Sequence, residues 1–192
     1  MKNTNHSLFD KYEMIKDLGT GSSGSVTLIR HISMDQERAL KKVPKASAFA
    51  ESALSEARLL KSLEHPSIPR IFDFEDDDAF YYIVEEYIDG ETLDSFLLHQ
   101  QLISPGLFFN ICEQLCNVFI YLHTQISTPI IYRDLKPEHI IVCHNKLKLI
   151  DFGVSAYVIQ DGNNFNHYGN IEFSAPECFT EDTITPAADI YS

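Results

Sequence analysis

The sequence predicts an α+β chain in which strands come first and helices follow. Two observations carry this. Between Lys11 and Tyr87 apolar and polar residues alternate in short runs, interrupted by one helical stretch. Beyond Asp89-Gly90 the apolar residues recur at helical spacing instead. That change of period sets the expected segments: a polar, disordered lead-in over 1–9, a strand-rich lobe over 10–88, and a mostly helical lobe over 89–192.

Three strands are expected from Lys11 to Val43. Val26, Leu28 and Arg30 alternate there against Thr27, Ile29 and His31, and a glycine-rich turn precedes them. Ser47 to Glu64 reads as a helix, because Ala53, Ala57, Leu60 and Leu63 recur at helical spacing with no Gly or Pro between. His65-Pro66 stops it. Two further strands are expected around Ile71–Phe74 and Phe80–Tyr87, joined through the acidic run Glu75 to Asp78, read as a solvated turn. Glu91 to Gln101 follows as a short helix. Ser104-Pro105 opens a longer one, Ser as N-cap and Pro in the first turn, with the apolar stripe Phe108, Ile111, Leu115, Val118, Phe119, Leu122. Short strands at Ile140–Cys143 and Leu147–Ile150 and an irregular segment to Pro176-Glu177 complete the order.

The 192 residues are 44% apolar and 22% charged, ordinary for a globular protein. A formal net charge of −13 argues against nucleic acid or an anionic membrane as partner. Cys112 and Cys116 share a helix face, but no second Cys/His pair has zinc-like spacing. The four cysteines therefore read as free thiols in a reducing, cytoplasmic compartment. Met1 to Asp10 lacks an apolar signal region, and no run approaches the ~20 apolar residues of a membrane span.

Four features carry chemistry. Gly19-Thr20-Gly21-Ser22-Ser23-Gly24-Ser25-Val26 links two strands; its glycines let main-chain amides approach phosphate oxygens with no Cβ in the way. It opens no helix, which excludes the dinucleotide-fold use of the same spacing. Lys41 follows Ala39-Leu40 on the third strand, and Lys42 points the other way by alternation. Glu56 lies on a helix face flanked by Ala53, Ala57 and Leu60, where a carboxylate needs a cation. Finally, Arg133-Asp134-Leu135-Lys136-Pro137-Glu138-His139 and Asp151-Phe152-Gly153 put two carboxylates either side of a short hairpin. One can address a substrate hydroxyl, the other a metal.

With His65-Pro66, Ala175-Pro176-Glu177 and Asp189-Ile190-Tyr191-Ser192, these motifs stand in the order and spacing of a protein kinase. From about Tyr12 to the last residue the chain resembles the eukaryotic-type (Hanks-type) serine/threonine protein kinases, and its motifs are similar to those of bacterial members. The resemblance implies a bilobal fold: a five-stranded antiparallel N-lobe sheet with one helix, and a mostly helical C-lobe, here incomplete because the chain stops at Ser192. It implies ATP and Mg²⁺ as cofactors and a protein substrate. Gly19, Gly21, Ser22, Ser23, Gly24, Val26, Ala39 and Ile141 would line the nucleotide, and main-chain groups of Glu86 and Ile88 would meet adenine. Lys41, paired with Glu56, would neutralise phosphate charge. Asp134 would orient the substrate hydroxyl and Lys136 would contact the γ-phosphate, Lys there being the Ser/Thr-kinase choice. Asp151 would hold the metal, and Phe152, Tyr132, Leu60 and Ile71 would stack as a hydrophobic spine.

This chain departs from the pattern at four places. His139 stands where the family has an Asn that serves both a second Mg²⁺ and the catalytic loop. Imidazole nitrogen is a poorer Mg²⁺ ligand and suits Mn²⁺ better, so either the metal preference shifts toward Mn²⁺ or His139 keeps only the loop hydrogen bond. Glu85 falls at the gatekeeper position, facing Lys41 or displaced by a one-residue slip. Between Asp151 and Pro176 there is no Thr; Asn170 replaces one, and a phosphorylation switch is expected to be absent or to use Tyr168 rather than Ser155. The early stop is expected to expose the lower face of the long helix, an aggregation liability or a surface for a docking partner. Three functions follow: ATP-dependent phosphorylation of protein Ser/Thr hydroxyls, a pseudokinase or nucleotide-binding scaffold, or an inactive gene fragment.

Overall fold

The computed structural model describes residues 7–21, 24–99, 103–158, 172–180 and 184–192. The chain divides into two compact units, Met1–Glu64 with Pro69–Tyr87, and His65–Ile68 with Ile88–Ser192.

The first unit is built on a five-stranded antiparallel sheet. Its strands are β1 (Tyr12–Gly21), β2 (Gly24–His31), β3 (Gln36–Pro44), β4 (Ile71–Asp76) and β5 (Phe80–Glu86), in the order β1-β2-β3-β5-β4. The register sets Val26 opposite Lys41 and Lys41 opposite Ile83. Cross-strand partners share a face, so Val26, Lys41 and Ile83 point one way and Leu40 and Val84 the other. Helix α2 (Ala50–Ser62) packs on the first face, where Ala53 and Ala57 join Val43 and Ile83 in one apolar cluster. Alanine at both positions lets the helix backbone come close to the sheet. The helix is shorter than the expected Ser47–Glu64, because Phe49 occupies its N-cap and makes no side-chain capping bond.

The opposite face carries Ile29, Leu40, Tyr82 and Val84, closed over by Leu8 and Tyr12. Leu8 belongs to a one-turn helix, α1 (Leu8–Lys11), in a stretch expected to be disordered lead-in. Ser7 and Asp10 cap that turn reciprocally, and Leu8 N–H donates to Glu75 at 2.6 Å. The acidic run is therefore more than a solvated turn. Asp76 pairs with Lys45 at 2.5 Å. Asp77 accepts from the main-chain N–H groups of Ala79 and Phe80 and from the Tyr82 hydroxyl, bonds that hold its carboxyl below the usual range.

The second unit begins with β6 (Glu91–Thr92) and α3 (Leu93–His99), so the expected helix from Glu91 starts two residues later. Helix α4 (Pro105–Ile120) is capped by the Ser104 hydroxyl, which accepts from Leu107 N–H. One π-helical turn, Tyr121–Gln125, continues it. Ile111, Val118, Phe119 and Leu122 are buried as the stripe predicts, but Phe108 is 54% exposed. The hairpin of β8 (Ile140–Cys143) and β9 (Lys146–Leu149) meets the helix further along. There Gln114 accepts from Leu147 N–H and donates to Asn145 O. β6 extends this hairpin in the order β6-β8-β9. β7 (Ile130–Ile131) pairs with β10 (Ala156–Tyr157) on either side of the catalytic-loop sequence. Two short helices, α5 (Glu177–Thr180) and α6 (Ala187–Tyr191), follow; Cys178, Ile184 and Ala188 pack with Ile131 and Ala175.

His65–Ile68, expected in the first lobe, belongs to the second unit. Ser67 O accepts from Leu149 N–H at 2.8 Å, and the His65 ring lies 5.1 Å from that of Tyr121.

Candidate active site

The first unit holds the glycine-rich turn, Lys41 and Glu56. Gly24 has φ +145°, and a Cβ there would lie 2.1 Å from Lys42 O, so only glycine fits. At Gly19 and Gly21 a Cβ would meet nothing within 4 Å. The fold itself thus makes no demand for glycine at those two positions. Ser22 and Ser23 lie outside the described residues.

Lys41 Nζ donates to Glu56 Oε2 at 2.6 Å, with the side chains only 19% and 8% exposed. The sheet register and the α2 packing bring them together: Lys41 is on the face that α2 covers, and Glu56 is on the face that α2 presents. Lys42 lies over the Phe80 ring at 4.0 Å, on the other face. Ala39 pairs with Leu28 and Glu85. Glu85 therefore shares the Lys41 face by register. Glu86 N–H donates to Arg70 O at 2.9 Å, and Glu86 pairs with Arg38 at the end of the β3–β5 ladder.

The second unit holds the other residues. Its catalytic loop, residues 132–139, hangs from one buried carboxylate. Asp189 Oδ2 accepts from Tyr132 N–H at 2.8 Å, Asp189 Oδ1 accepts from Arg133 N–H at 2.7 Å, and His123 Nε2 lies 2.8 Å from Oδ2. The loop is further pinned by the Tyr132 hydroxyl, which donates to Ile150 O, and by Arg133 Nε, which donates to Val154 O at 2.5 Å. Arg133 and Asp151 adopt φ values of 72° and 62°. Neither is glycine, so the surrounding bonds hold both against local preference.

On this frame Lys136 Nζ donates to Asp134 Oδ2 at 3.0 Å. His139 is buried, with Nδ1 3.0 Å from Asp134 O and Nε2 3.4 Å from Asp151 Oδ2. Asp151 is 54% exposed, an acceptor-only carboxylate open to a cation. Phe152 is buried against Tyr132, with ring centroids 5.0 Å apart. Ile141 is half-buried on β8, and Ile88 O accepts from Gly90 N–H at 3.0 Å. Tyr168 and Asn170 lie outside the described residues.

Sequence motifs alone did not show what Asp189 does. Nothing local connects it to two main-chain N–H groups 56 and 57 residues earlier; the available signals were its place in the Asp189-Ile190-Tyr191-Ser192 motif and an ionisable residue within an otherwise apolar turn.

The protein kinase domain family matches residues 12–192. The chain belongs to that family. This kinase domain is 30% identical over 191 residues to the serine/threonine-protein kinase PrkC of Bacillus subtilis, covering 95% of this chain and 29% of that protein. It is 27% identical over 198 residues to PknB of Mycobacterium tuberculosis, covering 96% and 31%. The cAMP-dependent protein kinase type 3 of Saccharomyces cerevisiae is 32% identical over 192 residues, covering 97% and 47%. The chain thus spans less than half the length of each of these relatives. Likeness to bacterial serine/threonine kinases agrees with the phrasing of the motifs. Among the described residues, the kinase domain has no group of three or more His, Cys, Asp or Glu arranged to hold a metal, and no helix long and apolar enough to cross a membrane.

Proposed function

We propose that this kinase domain transfers the γ-phosphoryl group of ATP to Ser or Thr hydroxyls of a protein substrate. The observation that supports it most is the Asp134–Lys136 pair at 3.0 Å, on a loop whose main chain is fastened by Asp189. Asp134 accepts a hydrogen bond from the incoming hydroxyl and aims it. Phosphoryl transfer through a loose transition state asks for positioning more than for proton removal, which suits a carboxylate held by a neighbouring ammonium. Lys136 places its charge beside the same point, where the transferring phosphoryl group would sit. Lys41, fixed by Glu56, offers a cation to the other phosphates, and Gly19, Gly21, Gly24, Val26 and Ala39 line the nucleotide. Main-chain groups of Glu86 and Ile88 meet adenine, beside Ile141.

The donor set fits a divalent cation: Asp151 offers carboxylate oxygens, the ligand class that hard cations take. Bound there, the cation would neutralise phosphate charge. A reducing cytoplasmic setting is part of this reading. On α4, Phe108 and Phe109 are exposed, and a docking partner on that face is part of this reading.

A γ-phosphate transfer assay on a basic protein tests the proposal. Asp134→Asn is expected to lower transfer by about 10²–10⁴-fold, and Lys41→Ala by about 10²–10³-fold, with folding retained. Transfer unaffected by Asp134→Asn would overturn it. The second reading, a pseudokinase or nucleotide-binding scaffold, draws on the departures at His139, Glu85 and Asn170; stoichiometric ATP binding without turnover would select it.

A further inference from the structure

His139 has its tautomer set by its neighbours. Nδ1 lies 3.0 Å from the main-chain oxygen of Asp134, 3.4 Å from Asp134 Oδ2 and 3.3 Å from the Tyr132 hydroxyl. The first two only accept hydrogen bonds. The Tyr132 proton is committed to Ile150 O, so its oxygen also faces Nδ1 as an acceptor. Three acceptors around one ring nitrogen place the proton on Nδ1. In the neutral ring Nε2 then carries a lone pair, and it faces Asp151 Oδ2 at 3.4 Å. Two acceptors at that separation repel unless a cation lies between them.

We propose that His139 Nε2 and the Asp151 carboxylate form a mixed nitrogen–oxygen seat for a borderline divalent cation, Mn²⁺ in preference to Mg²⁺. This rests on the proposal that Asp151 holds the reaction's metal, with phosphate oxygens and water completing the ligand set. The sequence left two roles for His139 as alternatives, a loop hydrogen bond or a metal contact. The geometry makes them compatible, because different nitrogens perform them. Nδ1–H serves Asp134 O and Nε2 faces Asp151, as an Asn side chain would divide the same tasks between its amide donor and its carbonyl oxygen. Donor bonds of roughly 2.1 Å at a right angle put their ligand atoms roughly 3.0 Å apart, so a shift of a few tenths of an ångström closes the pair on one ion. Imidazole nitrogen favours Mn²⁺ over Mg²⁺, which demands oxygen. Burial of the His139 side chain fixes the nitrogen, while exposure of Asp151 leaves the entry open.

The test is Mn²⁺ binding to the whole chain with a non-hydrolysable ATP analogue, read by electron paramagnetic resonance. Pulsed spectra should show a directly bound nitrogen that shifts on ¹⁵N-histidine labelling and vanishes in His139→Asn. Competition with Mg²⁺ should show a Mn²⁺ preference that falls by about tenfold in that variant, and Asp151→Asn should abolish ion binding. Circular dichroism confirms that each variant is folded, and His139→Gln provides a second comparison without an imidazole. Bound Mn²⁺ without histidine coupling, or an unchanged Mn²⁺/Mg²⁺ ratio in both His139 variants, would overturn the seat. If transfer activity persisted alongside that result, the kinase function would stand and only the seat would fall. Histidine coupling in a chain without transfer would support the seat and remove the catalytic proposal instead.

Discussion

Lys41 and Asp134 each carry a charged partner, yet the two are placed by different means. Lys41 sits on a strand whose neighbours are fixed rung by rung, and Glu56 reaches it from a helix seated on the same face. Repetition does the positioning there: period two in the strand and 3.6 in the helix leave few alternatives. Asp134 sits in the loop between β7 and β8 and takes part in no ladder itself. Its place depends on Asp189, a buried carboxylate far along the chain, and on Arg133 and Asp151 held at positive φ. A site on regular elements inherits its geometry from the fold. A site on loops needs dedicated polar fasteners, and these are the points at which it fails.

The largest effect should come from that fastener. Asp189→Ala strands the N–H groups of Tyr132 and Arg133 and the His123 ring nitrogen, all at 2.7 to 2.8 Å from the carboxylate. Leaving such buried donors unpaired costs about 1–3 kcal/mol each. A loss of about 3–5 kcal/mol in urea unfolding is expected, a large share of a typical domain's stability, with transfer activity lost as well. A change below about 1 kcal/mol would show that the loop is held by other means and break the contrast.

A smaller effect is expected at the regular end. Glu56→Gln and Lys41→Met remove one partner each from a largely buried pair, whose strand and helix stay in place through Val43, Ala53, Ala57 and Ile83. A double-mutant cycle in unfolding should give a coupling of about 1–3 kcal/mol, while each single variant retains the native circular dichroism spectrum. Loss of secondary structure in either single variant would mean that the ion pair, rather than the packing, holds α2 on the sheet.

The same contrast explains what the sequence made legible. The five strands, the helix carrying Glu56 and the α4 stripe from Ile111 to Leu122 follow from hydrophobic period, and the motif order identifies the family. Fastening by Asp189 does not follow, because a local pattern says nothing about a polar pairing 56 residues away. The positive φ of Arg133 was equally hidden, since Arg does not favour it; Asp is enriched there, but too weakly to single out Asp151. Helix α1 is a different case. Ser7-Leu8-Phe9-Asp10 carries a capping signature in plain view, set in a stretch of polar composition that by itself reads as unstructured. At His139 the departure from the family is visible in the sequence, but which nitrogen faces which acceptor is not. That depended on Tyr132 and Asp151, brought together by loops.

The smallest expected effect sharpens the boundary between the two regions at His65. Residues 65–68 follow the helix of the first unit but pack with the second, where His65 lies against Tyr121 and near Lys148. Burial, and then the Lys148 charge, hold the His65 imidazole below its ordinary value near 6.5. The unfolded chain therefore takes up a proton that the folded chain refuses. Stability supplied by the neutral ring is fully present above the ordinary value and is lost as pH falls through the depressed folded one. The chain should weaken from about pH 7 toward pH 5, and His65→Gln should flatten that slope while changing stability little at pH 8. Parallel slopes for wild type and variant, measured by urea unfolding across that range, would show that His65 is not desolvated. The assignment of the 65–68 segment to the second unit would then rest on the Leu149–Ser67 main-chain bond alone.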